Sequence, residues 1–364
     1  MSMNFSTLNG LVTRYSPSGQ ERVAVEWLVG RMRDLGYSQA FIDDAGNAIG
    51  VMGNGPRQVV LLGHIDTVTG EIPVRINAGV LHGRGSVDAK GPLACFVDSV
   101  AKLGVLDDWQ FVVIGAVDEE RHSLGARYVV DKYSPDFAIV GEPNNWDRIA
   151  LGYKGSAWAN VTVRRQQSHT ASGEKTAAEA AVEIWLAIKA STEEYNLGKE
   201  RAFDQVLLTL SSVETEEGDF EQLARLKVGA RLPVGMPPDE WYFELEKIAT
   251  ILNSFRISID RVGYPIPAWK CDKNSPLVRS ILNAIRSEGG TPRFVNKTGT
   301  ADLNIVAPSW RCPTLAYGPG DSALDHTPNE RIELAEYARA VNILSRALTS
   351  LASMATNKSI LDED

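Results

Sequence analysis

The sequence predicts an α/β domain, built on a mixed, mostly parallel sheet sandwiched by helices and interrupted by an inserted α+β domain. Three observations carry this. Strand and helix signals alternate over the first 150 positions and again after about 266. Between them the order becomes β-α-β-β-α-β. The length, 364 residues, suggests two or three domains at about 150 residues each.

Residues 21–35 place Val23, Trp27, Leu28, Met32 and Leu35 on one helical stripe. The run 58–63 is continuously apolar, as a strand covered on both faces should be. A helix is expected over 89–103 and strands over 110–117 and 136–141. From 154 the pattern changes to a strand, a helix over 174–190, and strands over 205–213 and 222–232 joined by the acidic turn ETEEGDFE. A helix opened by Pro237 and Pro238, where a missing N–H costs nothing, and the strand FRISIDRV complete a ferredoxin-like unit. After 266 come a helix over 276–287, a short strand over 313–317 and a final helix from 331. That helix aligns Leu334, Tyr337, Val341, Leu344, Leu348 and Leu351, and its polar tail from Ser353 is expected to fray. The outer α/β domain is placed at 1–153 and 266–364 and the insert at 154–265.

Composition excludes several classes. With 46 acidic and 37 basic residues the chain carries a net charge of −9, against a general nucleic-acid binder. Cys95, Cys271 and Cys312 form no CxxC pair, which suits reduced thiols in the cytoplasm better than a disulfide framework. No signal peptide is visible at the N-terminus, and no apolar run approaches the roughly 18 residues of a membrane span.

Five segments could carry chemistry. His64 and Asp66, in GHIDT, point the same way from the end of a buried strand, where a neutral imidazole suits zinc or cobalt and a carboxylate can orient it. A turn His with a helix-capping Asp is the alternative. Asp88, in GRGSVDAKG, sits ahead of the helix at 89 as either an N-cap or a bridging ligand. Asp118, Glu119 and Glu120 follow a strand; three adjacent acids repel, and cations relieve that cost. Glu142 lies at another strand end, and His326 precedes the last helix in HTPNE. One His and several acids at successive ends of one sheet, with a second His, favour a two-metal carboxylate/histidine site.

These motifs resemble, in order and spacing over nearly the whole chain, the di-zinc amidohydrolase/peptidase family of acetylornithine deacetylase, succinyl-diaminopimelate desuccinylase, aminoacylase and glutamate carboxypeptidase. The resemblance implies two divalent metals, Zn2+ or alternatively Co2+. His64, Asp88 and Glu142 would hold one; Asp88, Glu120 and His326 the other. It further implies that Asp66 orients His64 and that Glu119 is the general base toward a water between the metals. His169 would reach a neighbouring subunit's site and stabilise the oxyanion. The inserted domain would be a lid through which homodimers form. His82 and His122 match no ligand position.

Arg225, Lys227 and Arg231 share one face of the strand 222–232, opposite Leu226, Val228, Ala230 and Leu232. Three cations on a polar face suggest carboxylate recognition, a solvated sheet face being the alternative. Arg231 matches the family's lid arginine that contacts the substrate carboxylate. GYKG with Lys154, KTGTADLN with Thr298, and GPGDS followed by LDH resemble the branch that releases lysine or ornithine from the γ-carboxyl of an acidic amino-group carrier protein, LysW. Lys154 and Thr298 would then bind substrate. The alternatives are a deacylase of small N-acyl amino acids such as acetylornithine, a dipeptidase, or a metal-free binding protein on the same scaffold. The last is disfavoured because every ligand position and the base are present. Neither a nucleic acid nor a membrane is an expected partner.

Overall fold

The structure, a computed structural model, describes residues 5–361, excepting the side chains of Thr170 and residues 355–361. It divides into two compact units, one formed by 1–152, 271–296 and 301–364, the other by 153–270 and 297–300. The sequence reading leaves 297–300 with the first unit.

The first unit is built on a mixed sheet whose order runs Gln39–Ile42, Ala48–Gly53, Trp109–Ala116, Arg57–His64, Phe137–Gly141, Thr314–Ala316 and Arg148–Tyr153. The four strands from Trp109–Ala116 to Thr314–Ala316 are mutually parallel, and their outer neighbours are antiparallel. Val59, Val60, Leu61 and Leu62 of the central strand are all 0% exposed, so its run is unbroken because both faces are covered. Helices Lys90–Leu103 and Leu334–Leu361 contribute Leu93, Phe96, Tyr337 and Val341 to this core.

One expectation is corrected here. Arg331–Glu333 is a strand paired antiparallel with Val80–His82, and the last helix begins at Leu334. That helix extends to Leu361, with 362–364 of the expected polar tail outside the described residues.

The second unit is a four-stranded antiparallel sheet in the order Leu207–Glu217, Glu221–Leu232, Gly155–Gln166, Arg256–Ile266. Glu214–Glu217, read from the sequence as turn, belong to the first of these strands. Helices Ala177–Asn196 and Pro238–Ala249 cover one face, where Ala159, Val161, Leu226 and Val228 meet Ile184, Ile188, Trp241 and Leu245. The first helix starts in a capping box between Thr176 and Glu179. Alternation puts Arg225, Lys227 and Arg231 half-exposed on the opposite face, as their spacing predicts.

Candidate active site

Three neighbouring parallel strands end together. The register sets Gly63 opposite both Gly115 and Gly141. His64, the turn 117–120 and Glu142 therefore leave the sheet along one edge, where open α/β sheets gather their ligands. The helix Lys90–Leu103 packs closely against this row of glycines. A methyl group at Gly63 would come 3.2 Å from Leu93 Cβ, and one at Gly141 would come 3.0 Å from the Phe96 ring and 3.1 Å from Gly63 Cα. Close packing of that helix brings the loop before it, with Asp88, to the same edge. Asp88 does not cap the helix: Ala89 occupies the cap position and no side chain bonds there.

Asp88 instead lies between two imidazoles. Its Oδ1 is 3.2 Å from His64 Nε2, and its Oδ2 is 3.1 Å from His326 Nε2. His326 Nε2 is also 3.2 Å from Glu120, and His64 Nε2 is 4.0 Å from Glu119. His326 keeps this place with a left-handed backbone, φ 60°, which is uncommon for a residue with a Cβ.

Among the described residues, two sets of three donors converge within 4.8 Å, His64 with Glu119 and Glu120, and Asp88 with Glu120 and His326. The second set is the one the sequence suggests. The first takes Glu119 and Glu120 in place of Asp88 and Glu142. Glu142 is nonetheless close enough for Asp88 and His64 to act on its carboxyl. Imidazole nitrogen and carboxylate oxygen at both ends of Asp88 form a donor set that fits two divalent cations.

The electrostatics follow from crowding acids in a buried place. Burial pushes the Glu119 carboxyl well above its ordinary range, and although His64 opposes this, Asp302, Glu142 and Glu120 push it further. Glu142 is raised by burial and by Asp88, and Glu120 by burial despite the hydrogen bond from His326. Asp88 goes the other way: burial works to raise it, but hydrogen bonds from His326 and His64 outweigh burial and hold it below the usual carboxylate range. The bonds to Asp88 and Glu120 raise His326 to about 10. Carboxyls pushed upward beside imidazoles pushed upward mark a site short of positive charge, which bound cations would supply.

Asp66 does more than the sequence suggests. The His64 Nδ1 is 3.1 Å from the Asp66 backbone carbonyl, an acceptor only, so Nδ1–H donates there and Nε2 is turned toward Asp88. The Asp66 carboxylate lies 3.5 Å from the ring and also holds the acidic turn. It accepts the Glu119 and Glu120 amides at 3.1 Å each and the Ser18 hydroxyl at 2.7 Å.

Four expected site residues lie in the second unit. His169 is exposed, and its Nδ1 accepts the Ala171 amide at 3.0 Å, capping a short 3₁₀ turn. Arg231 donates to the Thr300 hydroxyl at 2.9 Å, while Thr298 is exposed. Lys154 departs from its expected role. Its side chain is fully buried and its ammonium donates to the carbonyls of Ala202, Phe203 and Gln205, so it ties down backbone rather than presenting a charge to a substrate.

Sequence reasoning missed Asp302, a 2% exposed acid raised to about 6 by burial, against the opposing effects of His64 and Ser123. It also missed Glu330 and Arg84, a buried pair 2.9 Å apart. Both acids sit inside motifs that sequence alone singles out, KTGTADLN and HTPNE, and that was the available signal.

The chain is 44% identical over 343 residues to a protein of Deinococcus radiodurans named LysW-lysine hydrolase, covering 92% of this chain and 93% of that one. Its fold is similar to that of aminopeptidase PepT from Bacillus cereus, with a TM-score of 0.76 at 19% identity over 96% of this chain and 99% of the other. The M20 family metallo-carboxypeptidase Sso-CP2 of Sulfolobus solfataricus gives a TM-score of 0.77 at 17% identity, over 96% and 99%. These two likenesses show the fold alone. Residues 60–350 match Peptidase family M20/M25/M40, and the chain, a metal-dependent amide hydrolase, belongs to that family.

Proposed function

We propose that this protein releases lysine, and ornithine as a second product, from the γ-glutamyl amide of the acidic carrier protein LysW. The observation that carries the chemistry is Asp88, with its two oxygens 3.2 and 3.1 Å from two imidazoles. The support for the substrate is the 44% identity to the Deinococcus protein of that name. In this reading His64, Asp88 and Glu142 hold one cation and Asp88, Glu120 and His326 the other. Zn2+ is our choice of metal and Co2+ the alternative, and either would polarise the amide carbonyl and make water more acidic.

The remaining roles belong to the chain's own groups. Glu119, its carboxyl raised by burial, is suited to take the proton of the attacking water and return it to the departing amine. Asp66 fixes the Glu119–Glu120 turn through its amides, so the base needs no reorganisation during turnover. We assign the second unit as a lid and dimerisation domain, Arg231 to a substrate carboxylate, and His169 to the oxyanion of a neighbouring subunit's site. Thr298, exposed beside Thr300, is retained as a substrate contact and Lys154 is not. A cytoplasmic homodimer completes the reading.

The test is a turnover panel of carrier-linked lysine, carrier-linked ornithine and N-acetylornithine, with zinc or cobalt added. The carrier conjugates are expected to have a kcat/KM at least 100-fold above N-acetylornithine, roughly the loss of 3 kcal/mol of contacts with the carrier. Equal efficiency on all three would assign the enzyme to the small-molecule deacylases instead.

A further inference from the structure

The active-site loops are joined directly behind Asp88. The strand Arg331–Glu333 pairs with Val80–His82, and the next step of the ladder is the Gly83 amide donating to the Glu330 carbonyl at 3.3 Å. There the two segments diverge, one toward Asp88 and the other back toward His326. The Glu330 side chain spans the gap. It is 1% exposed, and its Oε1 accepts the amides of both Val87 and Asp88, at 2.9 and 3.0 Å. Its Oε2 accepts Arg84 Nη1 at 2.9 Å, and Arg84 Nε donates in turn to the Gly70 carbonyl at 2.9 Å. The bonds to the carboxylate, at 2.9 to 3.0 Å, have full hydrogen-bond distances and are charge-assisted.

We infer that Glu330 is a positioning residue that locks the loop of Asp88 to the segment of His326, so that the cation-binding geometry exists before any cation arrives. The inference rests on the reading of Asp88 and His326 as ligands. Two backbone amides on one oxygen fix the orientation of the peptide from which the Asp88 side chain departs. Glu330 is four residues from His326 in sequence and 242 from Asp88, so the same carboxylate registers both. Asp66 does the equivalent for the Glu119–Glu120 turn. Arg84 is needed to neutralise the buried carboxylate, whereas the positioning comes from the amides.

That division can be tested with two double variants. Arg84→Met with Glu330→Met replaces a buried ion pair by apolar groups of similar length, which is often neutral for stability, and it removes the amide acceptor. Arg84→Met with Glu330→Gln also removes the charges but keeps an oxygen for the amides. Metal-free protein of each, checked for cooperative unfolding, is titrated with Co2+ and the visible absorption followed. We expect the Met/Met protein to bind about 10–100-fold more weakly than wild type, the usual loss for an outer partner of a ligand. The Met/Gln protein should stay within about threefold. Equal affinities in the two would overturn the inference while leaving the metal site standing. A wild-type protein that binds no Co2+ would instead overturn the metal site itself. If the Met/Met protein does not fold, hydrogen exchange on metal-free wild type carries the test: the Val87 and Asp88 amides should be protected, and exchange at the rate of open loop amides refutes the lock.

Discussion

Replacing Asp66 with Asn keeps shape and volume and removes one acceptor. The Asp66 Oδ1 accepts the Glu119 amide, and its Oδ2 accepts the Glu120 amide and the Ser18 hydroxyl. With the new NH2 at the first position it opposes the Glu119 amide; at the second it opposes the Glu120 amide, while Ser18 can rotate to accept. In either orientation one backbone amide beside the site faces a donor and is left unpaired. A buried unsatisfied group costs about 1–3 kcal/mol, so Asp66→Asn should lower stability by that amount. Asp66→Ala, which strands both amides, should lower it by about 2–6 kcal/mol. Because the displaced turn carries Glu119 and Glu120, kcat/KM should fall a further 10–100-fold in the folded Asn variant. Urea unfolding followed by circular dichroism gives the first quantity and turnover at saturating metal the second. An Asn variant with the wild-type unfolding midpoint and wild-type kcat/KM would refute the assignment of Asp66 as the holder of that turn.

Glu119→Gln should bind both metals as wild type does but lose nearly all turnover, since an amide cannot accept the proton; near-normal activity in a metal-replete sample would sink the mechanism. Gly141→Ala places a methyl 3.0 Å from the Phe96 ring and 3.1 Å from Gly63 Cα, and overpacking of this kind should cost about 1–3 kcal/mol, read as a lower urea midpoint. Lys154 supplies a pH dependence: burial draws its ammonium down from 10.5 to about 8. A depressed lysine means that the unfolded chain binds more protons between those values, so this group's contribution to stability rises as the pH climbs from 8 toward 10.5. Melting wild type and Lys154→Met in parallel across that window should show the difference moving in favour of wild type, and a constant difference would refute it.

Much of the fold was legible because burial imposes a period on sequence. The run 59–62 is apolar throughout since Val59 to Leu62 are covered on both faces. The alternation over 222–232 separates Arg225, Lys227 and Arg231 from Leu226 and Val228 because one sheet face carries helices. Elements too short to develop a period escaped: Arg331–Glu333 reads as the start of a helix and becomes a strand only because Val80–His82 lies beside it. The candidate ligands were legible for a different reason, that one His and several acids fall together at successive strand ends of one sheet, with a second His before the last helix.

What the sequence by itself determined is therefore the identity of the reactive groups, their order and the elements that carry them. Only the tertiary structure decided what each carboxylate holds. Asp66 looked like a partner for His64, two residues away, and lies 3.5 Å from its ring, but its oxygens also take amides 53 and 54 residues distant. Glu330 looked like the end of a motif and reaches across 242 residues to Asp88. Lys154 looked like a substrate contact and is spent on three carbonyls about 50 residues on. Periodicity reports whether a side chain is inside or outside, a property of one element. A hydrogen bond depends on where a second element has been carried, and that is known only once the chain has closed on itself.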